Sequence, residues 1–353
     1  MTVRVGINGF GRMGRTFLRI AAKTAGIEVV AVNDLVGAEA LAALFRRDTV
    51  YGRFPGTVGF TDTSLALDGT RIALFDEPEV ERLPWGKLGV DVVVEATGRF
   101  TTREAAARHL AAGAPRVVVS APCKGADATV VLGVDDGKLG PGDVVVSYAS
   151  CTTNCLAVLV KVLVDSFGMV DGLMTTVHAY TGDQRLVDSI HKDPRRARAA
   201  ACNIVPTSTG AARTTAEVLA PVAGHLDGVA IRVPVPTGSL TDLVALLPRS
   251  VSREAVDDAY RQAAARPPLV GKLEYSDEDL VSSDIVGSGA SCVYDSKLAM
   301  TKGHLVKVFG WYDNEWGYAT RLVELAGIVG GFAHPSTDGL SAGAGAPRVT
   351  SRA

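Results

Sequence analysis

The sequence predicts an α/β protein of two domains: a parallel sheet wrapped by helices, followed by a mixed-sheet α+β unit. Three observations carry this. The chain has 353 residues, too many for one ordinary core. Its first half alternates short Val/Ile-rich strands with helical stretches, the pattern of strands buried on both faces under crossover helices. After about Ser150 the strand candidates lengthen and fewer helices separate them, which reads as a mixed or largely antiparallel sheet.

Each element has its own signal. Val3-Arg4-Val5-Gly6-Ile7 is an apolar strand that meets a glycine turn, after which Met13, Phe17, Ile20 and Ala21 recur at helical spacing. Ile27 to Val32 is a second strand, ended by Asn33-Asp34. Val90 to Ala96 and Arg116 to Ser120 are further strands, separated by an alanine-rich helix around Arg103 to Ala112. A helix from about Thr152 to Phe167 is followed by strands at Leu173 to Ala179, Val229 to Pro234, Leu240 to Leu247 and His304 to Trp311. A last helix is expected from about Asn314 to Val329. Residues 182–206, with His191-Lys192-Asp193-Pro194-Arg195-Arg196, are too long for a turn and too charged for a core. They are expected to form a functional or interface loop. The tail 334–353, rich in Gly, Ser, Ala and Pro, is expected to be disordered.

Composition excludes several classes. Apolar residues make up 47% and charged residues 21% of the chain, and the net charge is −2. That is a globular composition without the basic block that tracks nucleic acid. No apolar stretch is long enough to span a membrane, and the start lacks the apolar region of a secretory signal. Five cysteines in such a chain fit free thiols in a reducing cytoplasm better than a disulfide framework.

Gly9-Phe10-Gly11-Arg12-Met13-Gly14 is a full G-x-G-x-x-G. By itself it is a weak signal, equally readable as a structural turn. Here it follows a strand, opens a helix and precedes Asp34 by roughly twenty residues, the setting of a Rossmann-type dinucleotide-binding domain. Gly9 allows the tight turn, Gly11 lets the backbone approach a pyrophosphate, and Gly14 permits close helix–strand packing. The helix N-terminus offers unpaired N–H groups to phosphate. Asp34 can accept from the adenosine ribose hydroxyls and would repel a 2′-phosphate.

Ser150-Cys151-Thr152-Thr153-Asn154-Cys155 lies where a helix begins. The Ser/Thr/Asn cluster suits an N-cap, and the positive helix end favours Cys151 as thiolate. Three readings stay open on the residues alone. A metal site would need a second pair of ligands, which the chain does not offer. Cys151 and Cys155 also suit a structural pair of buried thiols. A nucleophile needs a base, and His178 closes an apolar strand, where a histidine is more often a satisfied core residue.

Five blocks carry a resemblance that decides among these readings: Ile7-Asn8-Gly9-Phe10-Gly11-Arg12, Ser150-Cys151-Thr152-Thr153-Asn154-Cys155, His178-Ala179-Tyr180-Thr181, Pro206-Thr207-Ser208-Thr209-Gly210-Ala211-Ala212 and Trp311-Tyr312-Asp313-Asn314-Glu315-Trp316-Gly317-Tyr318. In order and content the chain resembles the phosphorylating glyceraldehyde-3-phosphate dehydrogenases from Val3 to about Gly330. The resemblance implies an NAD-binding domain over 1–150 and 314–333, a catalytic and interface domain over 151–313, and a cytoplasmic homotetramer. It implies that Cys151 attacks the aldehyde of glyceraldehyde 3-phosphate, while His178 lowers the thiol pKa and acts as base and then acid. On this reading Cys151 titrates below the ordinary thiol value of about 8.5. Asn314 holds the nicotinamide carboxamide, the backbone near Arg12 and Met13 carries the pyrophosphate, and Thr97 and Ser120 complete the cofactor contacts. Thr181 and Arg232 match the site for the substrate's own phosphate; Ser150, Thr152, Thr209 and Gly210 match the site for inorganic phosphate.

The chain departs from the family pattern at a few places. Ser189-Ile190 stand where strictly NAD-dependent members usually carry Leu-Pro, Tyr148 replaces a usual Asn, and Arg46-Arg47 replace a usual Lys-Tyr. Erythrose-4-phosphate dehydrogenases share most of the blocks but depart at Ala179-Tyr180-Thr181 and Ser208-Thr209-Gly210. A non-catalytic cofactor-binding regulator would keep Gly9, Gly11 and Gly14 but have no use for Cys151 with His178.

Overall fold

The computed structural model describes residues 2–334. Apart from His334, the tail expected to be disordered lies outside the described residues.

The first half folds into a nine-stranded sheet in the order Ala128–Thr129, Val145–Ser147, Val117–Val119, Val92–Glu95, Val3–Asn8, Ile27–Asn33, Thr70–Phe75, Ser64–Leu67, Val58–Thr61. All pairs from Ala128–Thr129 to Thr70–Phe75 are parallel. The last two strands run antiparallel and form a hairpin at the edge; the sequence reading missed them because they are short and only partly apolar. The alanine-rich helix appears as two short helices, Arg103–Ala106 and Arg108–Ala111. Parallel register brings Asn8 level with Asn33 on one side and Glu95 on the other, at the carboxyl ends of the central strands. That edge is where doubly wound sheets place ligands.

The C-terminal helix Trp316–Gly331 returns to this first sheet. It buries Leu322, Val323, Ala326 and Val329 in one core with Val3, Val5, Phe17 and Leu18. The approach is close enough to require glycine: a Cβ on Gly330 would stand 2.3 Å from Val3 Cγ1. Burial of this apolar face, at roughly 25 cal/mol per Å², anchors the residues just before it, including Asn314.

The second sheet is mixed, as expected. Its main path is Val205–Ser208, Leu226–Val233, Asp171–Ala179, Ser239–Leu246, Leu305–Tyr312, Cys292–Asp295, Leu273–Ser276. One face packs on the helix Cys151–Phe167, whose Leu156, Val160 and Leu163 are fully or nearly fully buried. The other face leaves Leu173 69%, Val229 51% and Leu305 47% exposed. Alternation along Asp171–Ala179 therefore has a consequence: Met174, Thr176 and His178 point to the helix side, and Leu173 to the open side.

Candidate functional site

The glycine turn shapes the first part of the site. Gly9 has φ 94°, and a Cβ there would lie 2.7 Å from Thr97 N; a Cβ on Gly14 would lie 2.1 Å from Gly9 O. Gly11 has open space around it. The helix Arg12–Ala21 has Gly11 at its N-cap with no side-chain acceptor, so its first N–H groups are left for an incoming anion. Asp34 Oδ2 accepts from Phe10 N at 2.7 Å, which ties the carboxylate to the turn. Gly9, Gly11, Asp34 and Thr97 line a cleft of about 430 Å³. Arg12 turns its side chain away, onto Asp48 and Glu315, so only its backbone faces the turn. Met13 packs into the first core. Ser120 lies deeper, with its hydroxyl on Glu95 O at 3.0 Å.

Beneath this cleft lies a polar row that sequence reasoning missed. Asn33 donates to Asn8 Oδ1 at 2.8 Å, and Asn8 donates to Glu95 Oε2 at 2.6 Å. Glu95 is 1% exposed and also receives Thr97 N at 2.8 Å and pairs with His109 Nε2 at 3.0 Å. Trp85 Nε1 donates to His109 Nδ1 at 3.1 Å. A buried carboxylate is stable only with such donors, and these hold the loop of Thr97 against Gly9.

The cysteine site is built at a turn of unusual backbone. Ala149 has φ 53°, left-handed for a residue with a side chain, which costs on the order of 1 kcal/mol. It swings the chain from the strand Val145–Ser147 into the helix Cys151–Phe167. Ser150 caps that helix, its hydroxyl accepting from Thr153 N at 3.1 Å. Cys151 thus occupies the first position, partly exposed, while Cys155 is buried one turn deeper. Cys151 Sγ stands 3.5 Å from His178 Nε2.

The electrostatics of this pair correct one expectation. Burial pushes the Cys151 thiol up, outweighing Arg232 and the Thr152 hydrogen bonds, which pull it down. Burial first, then the positive charge of Arg232, pushes His178 down to about 3. Both directions share a cause: packing removes water that would solvate the charged forms, from His178 more completely than from the partly exposed Cys151.

Around the pair, Arg232 Nη1 reaches His178 Nδ1 at 2.7 Å and Ala179 O at 3.0 Å. Its Nε is buried without a partner. Thr152 turns its hydroxyl to Tyr312 at 2.9 Å, and Tyr312 pairs also with Thr176 at 2.7 Å. Thr209 Oγ1 accepts from Ala211 N at 3.2 Å and keeps its own proton to donate. Gly210 is the exposed N-cap of the helix Ala211–Val218, with open space around it. Thr181 is half-buried just beyond the strand of His178. Asn314 Oδ1 accepts from Ser239 at 2.9 Å, while Thr237 gives its one proton to Asp313 at 2.9 Å and stands 3.3 Å from Asn314 Oδ1, which leaves the amide N–H groups of Asn314 for another acceptor. Sequence reasoning missed Ser239, Thr237, Tyr312 and Arg196. Arg196 is held by Asp183 and Thr207 near Arg232; its only signal was the charge of segment 182–206.

Comparison with known proteins agrees with this geometry. Residues 3–103 match the family model for the glyceraldehyde 3-phosphate dehydrogenase NAD binding domain, and residues 150–314 match that for the C-terminal domain. The chain belongs to the glyceraldehyde-3-phosphate dehydrogenase family. It is 53% identical to the glyceraldehyde-3-phosphate dehydrogenase of Streptomyces coelicolor, over 94% of this chain and 99% of that relative. The corresponding proteins of Mycolicibacterium smegmatis and Geobacillus stearothermophilus are each 52% identical, covering 94% and 93% of this chain and 99% and 98% of theirs.

The cofactor of this family member is NAD, and the residues present fit it: an open glycine at a helix N-terminus for pyrophosphate, Asp34 beside the cleft, and a pinned Asn314 with free amide donors. The residues that depart from the family pattern make packing, tethering and surface contacts. Tyr148 is fully buried against Tyr318, ring centroids 5.2 Å apart. Arg46 Nη2 donates to Val58 O at 2.9 Å, tying its helix to the edge hairpin. Ser189 and Ile190 are exposed in the 182–206 loop, Ile190 by 95%.

Proposed function

We propose that the protein oxidises D-glyceraldehyde 3-phosphate to 1,3-bisphosphoglycerate with NAD and inorganic phosphate, through a thioester on Cys151. The observation that carries this reading is Cys151 Sγ at 3.5 Å from His178 Nε2, at a helix N-terminus and among donors suited to phosphate. Cys151 forms an S–C bond to the aldehyde carbon, and His178 takes the proton from the resulting hydroxyl as the hydride departs. NAD, when bound, accepts that hydride at its nicotinamide. An oxygen of inorganic phosphate then attacks the thioester carbon; the C–S bond breaks, and Cys151 regains its thiolate.

Arg232 and Thr181 hold the substrate's own phosphate, the unpartnered Nε of Arg232 supplying a charge-assisted donor. Thr209, Gly210 and Ser150 hold the attacking phosphate, while Thr152 acts on the Cys151 sulfur. Gly9, Gly11, the backbone of Arg12 and Met13, Gly14, Asp34, Thr97, Ser120 and Asn314 form the cofactor site. Residues 1–150 with 314–333 form the nucleotide domain and 151–313 the catalytic domain.

The protein works as a homotetramer in the cytoplasm. Two features support an assembly: the open sheet face with Leu173, Val229 and Leu305, and the exposed Leu186, Val187 and Ile190 of the 182–206 loop. Apolar surface of this extent is normally covered by another subunit. No helix among the described residues is long and apolar enough to cross a membrane. The test is a steady-state assay with glyceraldehyde 3-phosphate, NAD and phosphate. Wild type turns over and Cys151→Ser does not; turnover by Cys151→Ser removes the reading.

A further inference from the structure

We propose that His109 is a positioning residue for the cofactor: through its Nε2 bond to Glu95 it fixes the Thr97 backbone in the wall of the NAD cleft. This rests on the cleft beside Gly9, Gly11 and Asp34 being the NAD site.

His109 does not line that cleft. It sits on the short helix Arg108–Ala111 and is fully buried. Its partners fix its tautomer. Trp85 Nε1 lies 3.1 Å from His109 Nδ1, and an indole nitrogen only donates. Nδ1 must therefore accept, so the ring proton sits on Nε2 and is donated to Glu95 Oε2 at 3.0 Å. Trp85 is held in turn. It is fully buried, and its ring fills the space that a Cβ on Gly6 would need, 2.8 Å away.

Glu95 has no donor to spare. A carboxylate offers about four lone-pair sites, and four donors meet this one. Thr97 N and Oγ1 bond Oε1, while Asn8 Nδ2 and His109 Nε2 bond Oε2. Among the described residues no lysine or arginine pairs with it. At 1% exposure, water has little access to replace a missing donor.

The other end of Glu95 is the cofactor side. A Cβ on Gly9 would lie 2.7 Å from Thr97 N, and Thr97 Oγ1 accepts from Arg99 N at 3.0 Å. Ser120 N and Oγ both donate to the Glu95 carbonyl at 3.0 Å. Asn8, Thr97 and Arg99 line the cleft together with Gly9 and Gly11. Without the His109 donor, one lone pair of Oε2 is left bare in the interior, and the carboxylate turns toward another donor. Both bonds to Oε1 come from Thr97, so that turn loosens the wall facing Gly9. NAD then binds a cleft that it must first re-order. Cys151 and His178 stand on other elements and keep their geometry.

The experiment measures the Kd of NAD by calorimetry on the cofactor-free full chain, with steady-state kinetics beside it. His109→Leu removes the donor and is expected to raise the Kd and the KM for NAD about tenfold. At saturating NAD, kcat stays as in wild type, and so does the alkylation rate of Cys151 without cofactor. His109→Gln can donate from nearly the position of Nε2 and is expected to return the Kd to within about twofold of wild type. A purely structural role lowers Tm in both variants and leaves the Kd of the folded protein unmoved; that result overturns the proposal. So does a raised Kd that His109→Gln fails to restore, because the ring and not its bond would then be what counts. Should His109→Leu not fold, Trp85→Phe decides. It strips Nδ1 of its donor and frees the ring to turn from Glu95, so a Kd raised about threefold is expected, and an unchanged Kd overturns the proposal. Gly11→Ala separates the two levels: its methyl has room but faces the cleft that Gly11 lines, so weakened NAD binding is expected. Unchanged binding there means that the cleft is not the NAD site, and that reading fails first. An unchanged Kd in His109→Leu beside a weakened Gly11→Ala overturns the positioning role alone.

Discussion

Cys151 Sγ lies 3.5 Å from His178 Nε2 although the two residues are 27 apart in sequence. The contact depends on a left-handed Ala149 that starts the cysteine helix and on the alternation that turns His178 to the buried side of its strand. The helix face and the sheet face meet there, and that meeting makes both groups poor at holding charge.

The buried histidine gives an acid-dependent stability. Its folded pKa is lowered to about 3 from 6.5. Below pH 6.5 the unfolded imidazole takes up a proton that the folded one refuses. Stability from this group is therefore fully present above pH 6.5 and is lost as the pH falls toward 3, by up to about 1.4 kcal/mol per pH unit. His178→Asn is expected to unfold with a shallower pH slope through this window. Urea unfolding of both proteins at pH 7 and pH 5 checks it, and parallel slopes contradict it.

Asp34 lines the cleft beside the glycine turn, where, on the proposed placement of NAD, a 2′-phosphate would meet a carboxylate. NAD is expected to exceed NADP by roughly tenfold in kcat/KM, equal to about 1.4 kcal/mol. Asp34→Ser should shrink that ratio severalfold while keeping a hydroxyl near Phe10 N. Steady-state kinetics with both cofactors decide; equal wild-type values would mean that Ser189-Ile190 outweigh the carboxylate.

Ser239 pins the carbonyl of Asn314 at 2.9 Å. Loss of one such bond costs about 1 kcal/mol, so Ser239→Ala should raise the KM for NAD about fivefold by letting the amide turn. The alkylation rate of Cys151 in the cofactor-free protein should not change. An unaltered KM would show that the carbonyl of Asn314 does not need the Ser239 bond.

Tyr148 buries a hydroxyl with no partner. Removing it while keeping the ring against Tyr318 relieves an unsatisfied polar group, so Tyr148→Phe should gain about 1 kcal/mol in stability. Thermal unfolding reads this directly. A loss of stability would mean that the hydroxyl is hydrated or bonded in solution.

Much of the first domain was legible because its chemistry is local in the chain. Gly9, Gly11 and Gly14 lie within one turn, and Asp34 ends the next strand. Four strands of the second sheet, Asp171–Ala179, Leu226–Val233, Ser239–Leu246 and Leu305–Tyr312, were found within a few residues of their ends by apolar periodicity, while the short strands Val205–Ser208, Leu273–Ser276, Cys292–Asp295 and Met300–Lys302 were missed. The edge hairpin over residues 58–75 was missed because short, half-exposed strands carry little periodicity. The meeting of Cys151 with His178 was not in the spacing at all: strand pairing creates it, and resemblance alone anticipated it. The direction of the thiol shift differs from the expectation for a related reason. A helix N-terminus can be read from residues, but loss of water around Cys151 exists only in the packed fold. The contacts of Ser239 and Tyr312 and the Glu95–His109 pair were likewise invisible, since each depends on a partner that only the fold brings near.

Phosphate dependence tests the central claim most directly. If Thr209, Gly210 and Ser150 hold inorganic phosphate, the thioester on Cys151 leaves by phosphorolysis. Stopped-flow absorbance at the NADH band, with glyceraldehyde 3-phosphate and NAD but no phosphate, should show a burst of about one NADH per active subunit and then a slow phase. Adding phosphate should restore steady turnover, and Thr209→Val should raise the phosphate KM. A steady rate that does not depend on phosphate would contradict the account, even with Cys151 as the nucleophile.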